Sequence, residues 1–269
     1  MTSFASLPMY NLPEMRTANA QFWAALRGLL LEAGLRNVPE NLVFERGPVP
    51  PRLEPEMLFS QTCGYPLETV FKGQAIRLGA PVYDVAGCVG ATHRAFFLVR
   101  ADSPATCLED LRGGVFLLNS PVSNSGMNLP RRALAEIAGG KPFFRTVIET
   151  GGHPASLDGL LRGEGDVASI DCVTFAFLQH YRPNAAARFR VIAETPPSPA
   201  IPFVTSVATP PAIVSVLRDA LRCVASEPRY AAACGGLMVA GIEEVPDAAY
   251  RGLLDYEAEA AALGYPQLV

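Results

Sequence analysis

The chain has 269 residues, a formal net charge of -4, 49% hydrophobic residues and 18% charged residues; at about 150 residues per domain this length fills one large domain or two ordinary lobes. So low a charged fraction, against about 25% in an average soluble domain, excludes long disordered stretches and points to a globular chain. The slightly acidic balance offers no basic field for nucleic acid or anionic lipid, and no run reaches the roughly 18 apolar residues of a membrane-spanning helix.

The amino terminus, residues 1–16, has no basic region ahead of an apolar stretch, and Pro8 and Glu14 interrupt any leader-like core. Residues 4–7 read as a short strand ending at Pro8. A helix follows over 14–33, with Met15, Ala18, Phe22, Leu26, Leu29 and Leu30 on one face and Gly34 closing it. Proline-rich residues 48–55 are punctuation. Residues 92–101 form a long extended run, apolar from Ala95 to Val99 and flanked by arginines. A strand at 115–118 then precedes a helix at 131–138, a strand at 147–149 precedes a helix at 155–161, and a strand at 167–170 precedes a helix at 173–180. This alternation predicts an α/β chain with mostly parallel strands, whose ligand sites lie where the strands end and helices begin. Residues 201–206 are a second extended run, after the prolines of 196–202, and the remainder is helical. Two extended crossings, at 95–102 and 202–206, predict an inserted lobe: residues 1–97 and 203–269 form lobe 1, residues 98–202 form lobe 2, and the carboxyl-terminal helices pack on lobe 1.

Several short motifs carry polar chemistry. Ser123-Asn124-Ser125-Gly126 lies between a strand and a helix, where free backbone amides, hydroxyls and a glycine make an anion cradle; ordinary capping by Ser125 or Asn128 is the alternative. Pro130 would forfeit a hydrogen bond in a helix capped by Ser125 but falls in the first turn of one capped by Asn128. The stretch from Ser60 to Pro66, with Gln61 and Thr62, reads as a plain turn or a second cradle. His153 stands near a helix start, as a surface group or an anion partner. Asp166 reads as a turn residue. Asp171 either caps the next helix or points a carboxylate into a cleft, which would suit a ligand with a cationic or hydroxyl-bearing end.

Catalytic arrangements are poor. Cys63 or Cys172 with His153 would make a nucleophile and base, without an orienting group. No GxSxG, HExxH, P-loop or GxGxxG motif is present, and the three histidines lack metal-ligand spacing. The six cysteines form no CxxC pair, so buried free thiols are expected rather than a zinc site or a disulfide framework. No catalytic residue, metal or cofactor is expected.

In order along the chain, Leu7-Pro8-Met9-Tyr10, Gln61-Thr62-Cys63-Gly64-Tyr65-Pro66, Arg100-Ala101-Asp102-Ser103, Leu108-Glu109-Asp110-Leu111-Arg112-Gly113 and Asn119-Ser120-Pro121-Val122-Ser123-Asn124-Ser125-Gly126 resemble the phosphate/phosphonate-type substrate-binding proteins of ABC transporters. Thr150-Gly151-Gly152-His153, the stretch from Gly165 to Asp171, and Pro202-Phe203-Val204-Thr205-Ser206 continue the resemblance, which covers about residues 6–265. It implies a type II periplasmic-binding-protein-like fold, two α/β lobes joined by two extended hinge segments. It also implies a non-catalytic solute-binding protein for a small anion (phosphate, phosphonate or a related organic anion) held in the interlobe cleft, with an ABC transporter permease as partner. The resemblance assigns Ser123, Ser125, Gly126 and His153 to the anionic group, Asp171 to the ligand's amino end, and Tyr10, Gln61 and Thr62 to the wall of lobe 1. The expected compartment is periplasmic where a leader has been removed and cytoplasmic for the sequence as it stands. A cytoplasmic enzyme or ligand sensor on the same fold is the alternative. Pro130 departs from an undisturbed helix start.

Overall fold

The computed structural model describes residues 3–45 and 49–269; the first two residues of the amino terminus, and Pro48, which opens the proline-rich stretch 48–55, lie outside the described residues. The chain divides into two compact units. Unit 1 holds Met1–Asp84, Val89–Ala91 and Pro199–Pro246, and unit 2 holds Val85–Cys88, Thr92–Ser198 and Asp247–Val269.

Unit 1 is built on a five-stranded sheet in the order Phe4–Ala5, Met57–Gln61, Phe203–Ser206, Ala75–Tyr83 and Val239–Glu243. The first two strands pair parallel, and every other neighbouring pair is antiparallel. The amphipathic helix expected over 14–33 runs Arg16–Glu32 after a single 3-10 turn, Pro13–Met15, and buries Ala18, Phe22, Leu26 and Leu30. Gly34 ends it at φ +88°, a left-handed conformation that costs glycine nothing. Gly34 N donates to Leu31 O and Leu35 N donates to Leu30 O at 3.0 Å, the paired bonds that satisfy a helix's last carbonyls. The buried face meets the sheet through stacked rings, with Phe22 on Phe203 at 5.6 Å, Phe203 on Phe59 at 5.3 Å and Phe59 on Trp23 at 5.6 Å. Each such side chain contributes about 1.5–3 kcal/mol by leaving water.

Unit 2 repeats the plan with the order Thr146–Glu149, Val115–Leu118, Val167–Asp171, Ala95–Arg100 and Phe189–Glu194. The three strands followed by helices are parallel, as their strand-helix alternation predicts, whereas Ala95–Arg100 runs antiparallel to both of its neighbours. The sheets are therefore mixed rather than mostly parallel. Within the extended runs at 92–101 and 201–206, Ala95–Arg100 and Phe203–Ser206 are strands of the two five-stranded sheets, and together with Val239–Glu243 they supply the antiparallel pairs.

The expected division of the chain differs from the observed units in two respects. The chain passes between units at 84–92, 198–199 and 246–247, not at 95–102 and 202–206. The carboxyl-terminal segment Asp247–Val269 belongs to unit 2, not with lobe 1. Ala260, Tyr265 and Leu268 join Phe97, Phe116, Leu134, Phe143 and Val167 in one buried cluster, and the amides of Phe143 and Phe144 donate to Val269 O at 2.7 and 3.1 Å. A helix's apolar stripe reveals that it must be covered but not which core covers it.

Candidate functional site

In unit 2 the strand Val115–Leu118 runs into a loop and then a helix start. Ser123 is the cap there: its Oγ accepts from Gly126 N at 3.0 Å and from Asn119 Nδ2 at 3.1 Å. Ser125 and Asn128, the two cap candidates, do other work. Asn128 Nδ2 donates to Asn124 Oδ1 and to Leu253 O, while its Oδ1 accepts from Arg131 Nη2 at 2.7 Å. Ser125 Oγ stands 2.9 Å from His153 Nε2.

The first turn, Asn124–Asn128, is a π-turn, and the α-helix Leu129–Ala138 follows it. Asn128 N donates to Ser123 O, and Leu129 N to Asn124 O. The wider turn shifts the pairing by one residue, and Pro130, which has no N–H, follows in the first turn of Leu129–Ala138. The capped helix start forms with Pro130 in place.

A Cβ at Gly126 would lie 1.8 Å from Asn119 Oδ1, so a side chain there would displace Asn119 from Ser123. Ser169 Oγ donates to Ser125 O at 2.6 Å, tying the turn to the strand Val167–Asp171. His153 opens the helix His153–Arg162 and is half-buried. Unit 2 thus brings Ser123, Ser125, Gly126 and His153 together, with hydroxyls, an imidazole and a helix start converging. That set suits an oxyanion, because helix-start amides and the dipole both favour negative charge.

Asp171 takes the capping role that its sequence setting allowed. It is 1% exposed, its Oδ2 lies 2.6 Å from Nδ1 of an equally buried His93, and its Oδ1 accepts from the amides of Val173 and Thr174. It is the cap of the helix Cys172–Tyr181 and the ion-pair partner of His93. Burial alone would raise its pKa, but the adjacent His93, through charge and hydrogen bond, holds it below the usual carboxylate range. Burial likewise opposes protonation of His93, and Asp171 overcomes it, so the His93 pKa is raised. Burial without a partner would neutralise either group. Asp166 is the turn residue expected, its Oδ2 accepting from Val115 N at 2.7 Å.

In unit 1, Gln61 is buried and donates through Nε2 to Ile201 O at 3.0 Å and to Tyr83 Oη at 3.3 Å. Tyr10 packs edge-on against Tyr83 with ring centroids 5.5 Å apart, and Asn19 holds its carbonyl. Thr62 is half-buried at the end of Met57–Gln61, its amide 3.4 Å from Pro202 O. Tyr83 therefore links two of the three expected residues, although nothing in its own sequence setting marks it. His93 was equally hidden, being a lone histidine far along the chain from its carboxylate. Of the proposed nucleophiles, Cys63 is buried in unit 1 and Cys172 in unit 2. Among the described residues no cluster of histidine, cysteine and carboxylate groups fits a metal, and no helix is long and apolar enough to cross a membrane.

A family model described as "ABC transporter, phosphonate, periplasmic substrate-binding protein" matches residues 74–250. No curated protein matches the sequence. Among solved structures, a Xanthomonas citri protein bound to chloride ion has a TM-score of 0.69 at 19% identity, covering 98% of this chain and 99% of that one. A binding protein component of an ABC phosphonate transporter from Pseudomonas aeruginosa has a TM-score of 0.75 at 14% identity, covering 98% of this chain and 88% of its own. PhnD1 from Prochlorococcus marinus, in complex with methylphosphonate, has a TM-score of 0.64 at 11% identity, covering 97% and 98%. At these identities the likeness establishes the type II periplasmic-binding fold.

Proposed function

The chain belongs to the family of phosphonate periplasmic substrate-binding proteins of ABC transporters, and from that premise we propose that it captures a small phosphonate or phosphate-like anion at the helix start of unit 2 and delivers it to a transporter permease. The family is one of substrate-binding transport proteins of the periplasm, so the site's task is retention and release rather than turnover. The observation that carries the reading is the meeting of Ser125 Oγ and His153 Nε2 at 2.9 Å beside a helix start capped by Ser123. Hydroxyls can turn their protons toward an oxyanion, and a hydrogen bond to a charged partner is worth about 1.5–3 kcal/mol.

The ligand's far end follows from Asp171. Both of its oxygens are engaged inside unit 2, so it has no free face to reward an ammonium. The favoured ligand is an anion whose remainder is small or neutral. Calorimetric titration of the purified chain with methylphosphonate, inorganic phosphate and aminoethylphosphonate tests both points. Methylphosphonate or phosphate is expected to bind at least as tightly as the amino compound. A marked preference for aminoethylphosphonate would return a free carboxylate to the site, and no binding of any of the three would remove the anion reading.

A further inference from the structure

Two thiols far apart in sequence meet in unit 2. Cys88 follows the turn that its own amide closes onto Val85 O at 3.2 Å, and Cys172 opens the helix Cys172–Tyr181. Their Sγ atoms lie 3.6 Å apart across 84 positions of sequence. The backbone holds them there from both sides. Gly87, at φ +89°, sits so close that a Cβ on it would meet Cys172 Cβ at 2.9 Å and Cys172 Sγ at 3.1 Å. On the other side, Cys172 N donates to Arg94 O at 3.0 Å. Cys88 is half-buried, whereas Cys172 is fully buried.

We propose that Cys88 and Cys172 form a dithiol site that closes to an intramolecular disulfide by exchange with a low-molecular-weight disulfide. The inference is independent of the ligand reading. Cys88, which solvent reaches, gives up its proton and attacks one sulfur of R–S–S–R. The mixed disulfide Cys88–S–S–R forms, and one R–S⁻ leaves and takes up that proton. Cys172 then loses its proton and attacks Cys88 Sγ; the bond to R breaks, and the second R–S⁻ is protonated as it leaves. Two protein thiols are oxidised and one small disulfide is reduced to two thiols. The order follows from the environment. The Cys172 thiol pKa is pushed up, first by its hydrogen bond with Cys88, then by burial and by the Asp171 carboxylate, and a thiol so held does not initiate exchange. Forming the mixed disulfide removes the first of these restraints. The closing step needs the sulfurs to approach from 3.6 Å to about 2.05 Å.

The test treats the folded full chain with oxidised glutathione, blocks residual thiols by alkylation, and maps the peptides by mass spectrometry. The expected product is a Cys88–Cys172 cross-linked peptide pair lighter by two hydrogen atoms, while exposed Cys107 carries only a mixed disulfide. The oxidised chain should melt at a higher temperature, since the link restricts the unfolded state, and dithiothreitol should reverse the shift. Cys88→Ser and Cys172→Ser should each abolish the link and the shift; Cys88→Ser, at a half-buried turn, supplies the comparison if the Cys172 variant does not fold. A stable mixed disulfide on Cys88 with Cys172 still free overturns the proposal, as does a link that appears only in denaturant.

Discussion

Ser125 leaves the capping of its helix to Ser123, and its hydroxyl meets His153 instead. Ser125→Ala should therefore weaken binding of the phosphonate or phosphate ligand by about tenfold to a hundredfold, the equivalent of one hydrogen bond to a charged partner, with little change in melting temperature. Titration of the variant beside the parent decides this; unchanged affinity would reduce Ser125 to a structural residue. The buried pair of His93 and Asp171 predicts a pH dependence of stability. The His93 pKa is raised above 6.5, so its contribution is fully present below that value and is lost as pH rises through the raised one. The Asp171 pKa is lowered below 3.8, so its contribution is present above that value and is lost as pH falls through the lowered one. Stability from the pair is thus greatest between the two ordinary values, and its loss on the alkaline side belongs to His93. His93→Gln should lower the melting temperature most in that window, because an unpaired buried carboxylate costs about 3–5 kcal/mol, and the parent and variant curves should converge as pH rises. Parallel curves across the range would show that the pair does not titrate as described. The serine-rich helix start was legible because its signal is local, small polar residues between a strand and a helix. His93 was not, because its partner lies 78 positions away and only the fold joins them.

Among the elements, those with a strong single period were the easiest to read. The helix Arg16–Glu32 carries its apolar residues on one face and stops at a glycine, and the three strand-helix steps of unit 2 follow the same logic. The strands Ala75–Tyr83 and Val239–Glu243 were missed: each is only partly buried along its length, which blurs the alternation that marks a strand. The π-turn Asn124–Asn128 could not be read either, since a helical turn widened by one residue leaves no mark in an apolar period. Its role makes a prediction. With Pro130 in the first turn of Leu129–Ala138, Pro130→Ala adds an N–H and removes no hydrogen bond, since proline donates none. Denaturant unfolding should place the variant within about 0.5 kcal/mol of the parent, as for a substitution away from any special feature. A loss well beyond that would mean the proline ring itself holds the cradle.

At the level of the whole molecule, two α/β units and their resemblance to a binding-protein family were readable from the order of short motifs, while the affiliation of the last helices was not. The sequence expectation attached residues 203–269 to one lobe because a chain that returns is expected to stay. Instead the segment Asp247–Val269 goes back to unit 2. There Tyr265 is 1% exposed and donates through Oη to Val269 O, and the same carbonyl accepts from the amides of Phe143 and Phe144. Arg131, buried on the helix Leu129–Ala138, donates to Pro266 O, and Asn128 donates to Leu253 O. The terminal segment therefore closes the core beneath the helix that begins with the serine cradle. Tyr265→Ala should destabilise unit 2 by about 3–5 kcal/mol, the usual cost of emptying a large buried aromatic site, and it should do so locally. Amide hydrogen exchange is expected to quicken in the strands Val115–Leu118 and Val167–Asp171 while Met57–Gln61 keeps its protection, because cooperative units open separately. A chain ending at Pro246 should show the same pattern more strongly. Faster exchange in Met57–Gln61 with protection retained in Val115–Leu118 would instead return the terminal helices to unit 1 and with them the sequence-based division of the chain.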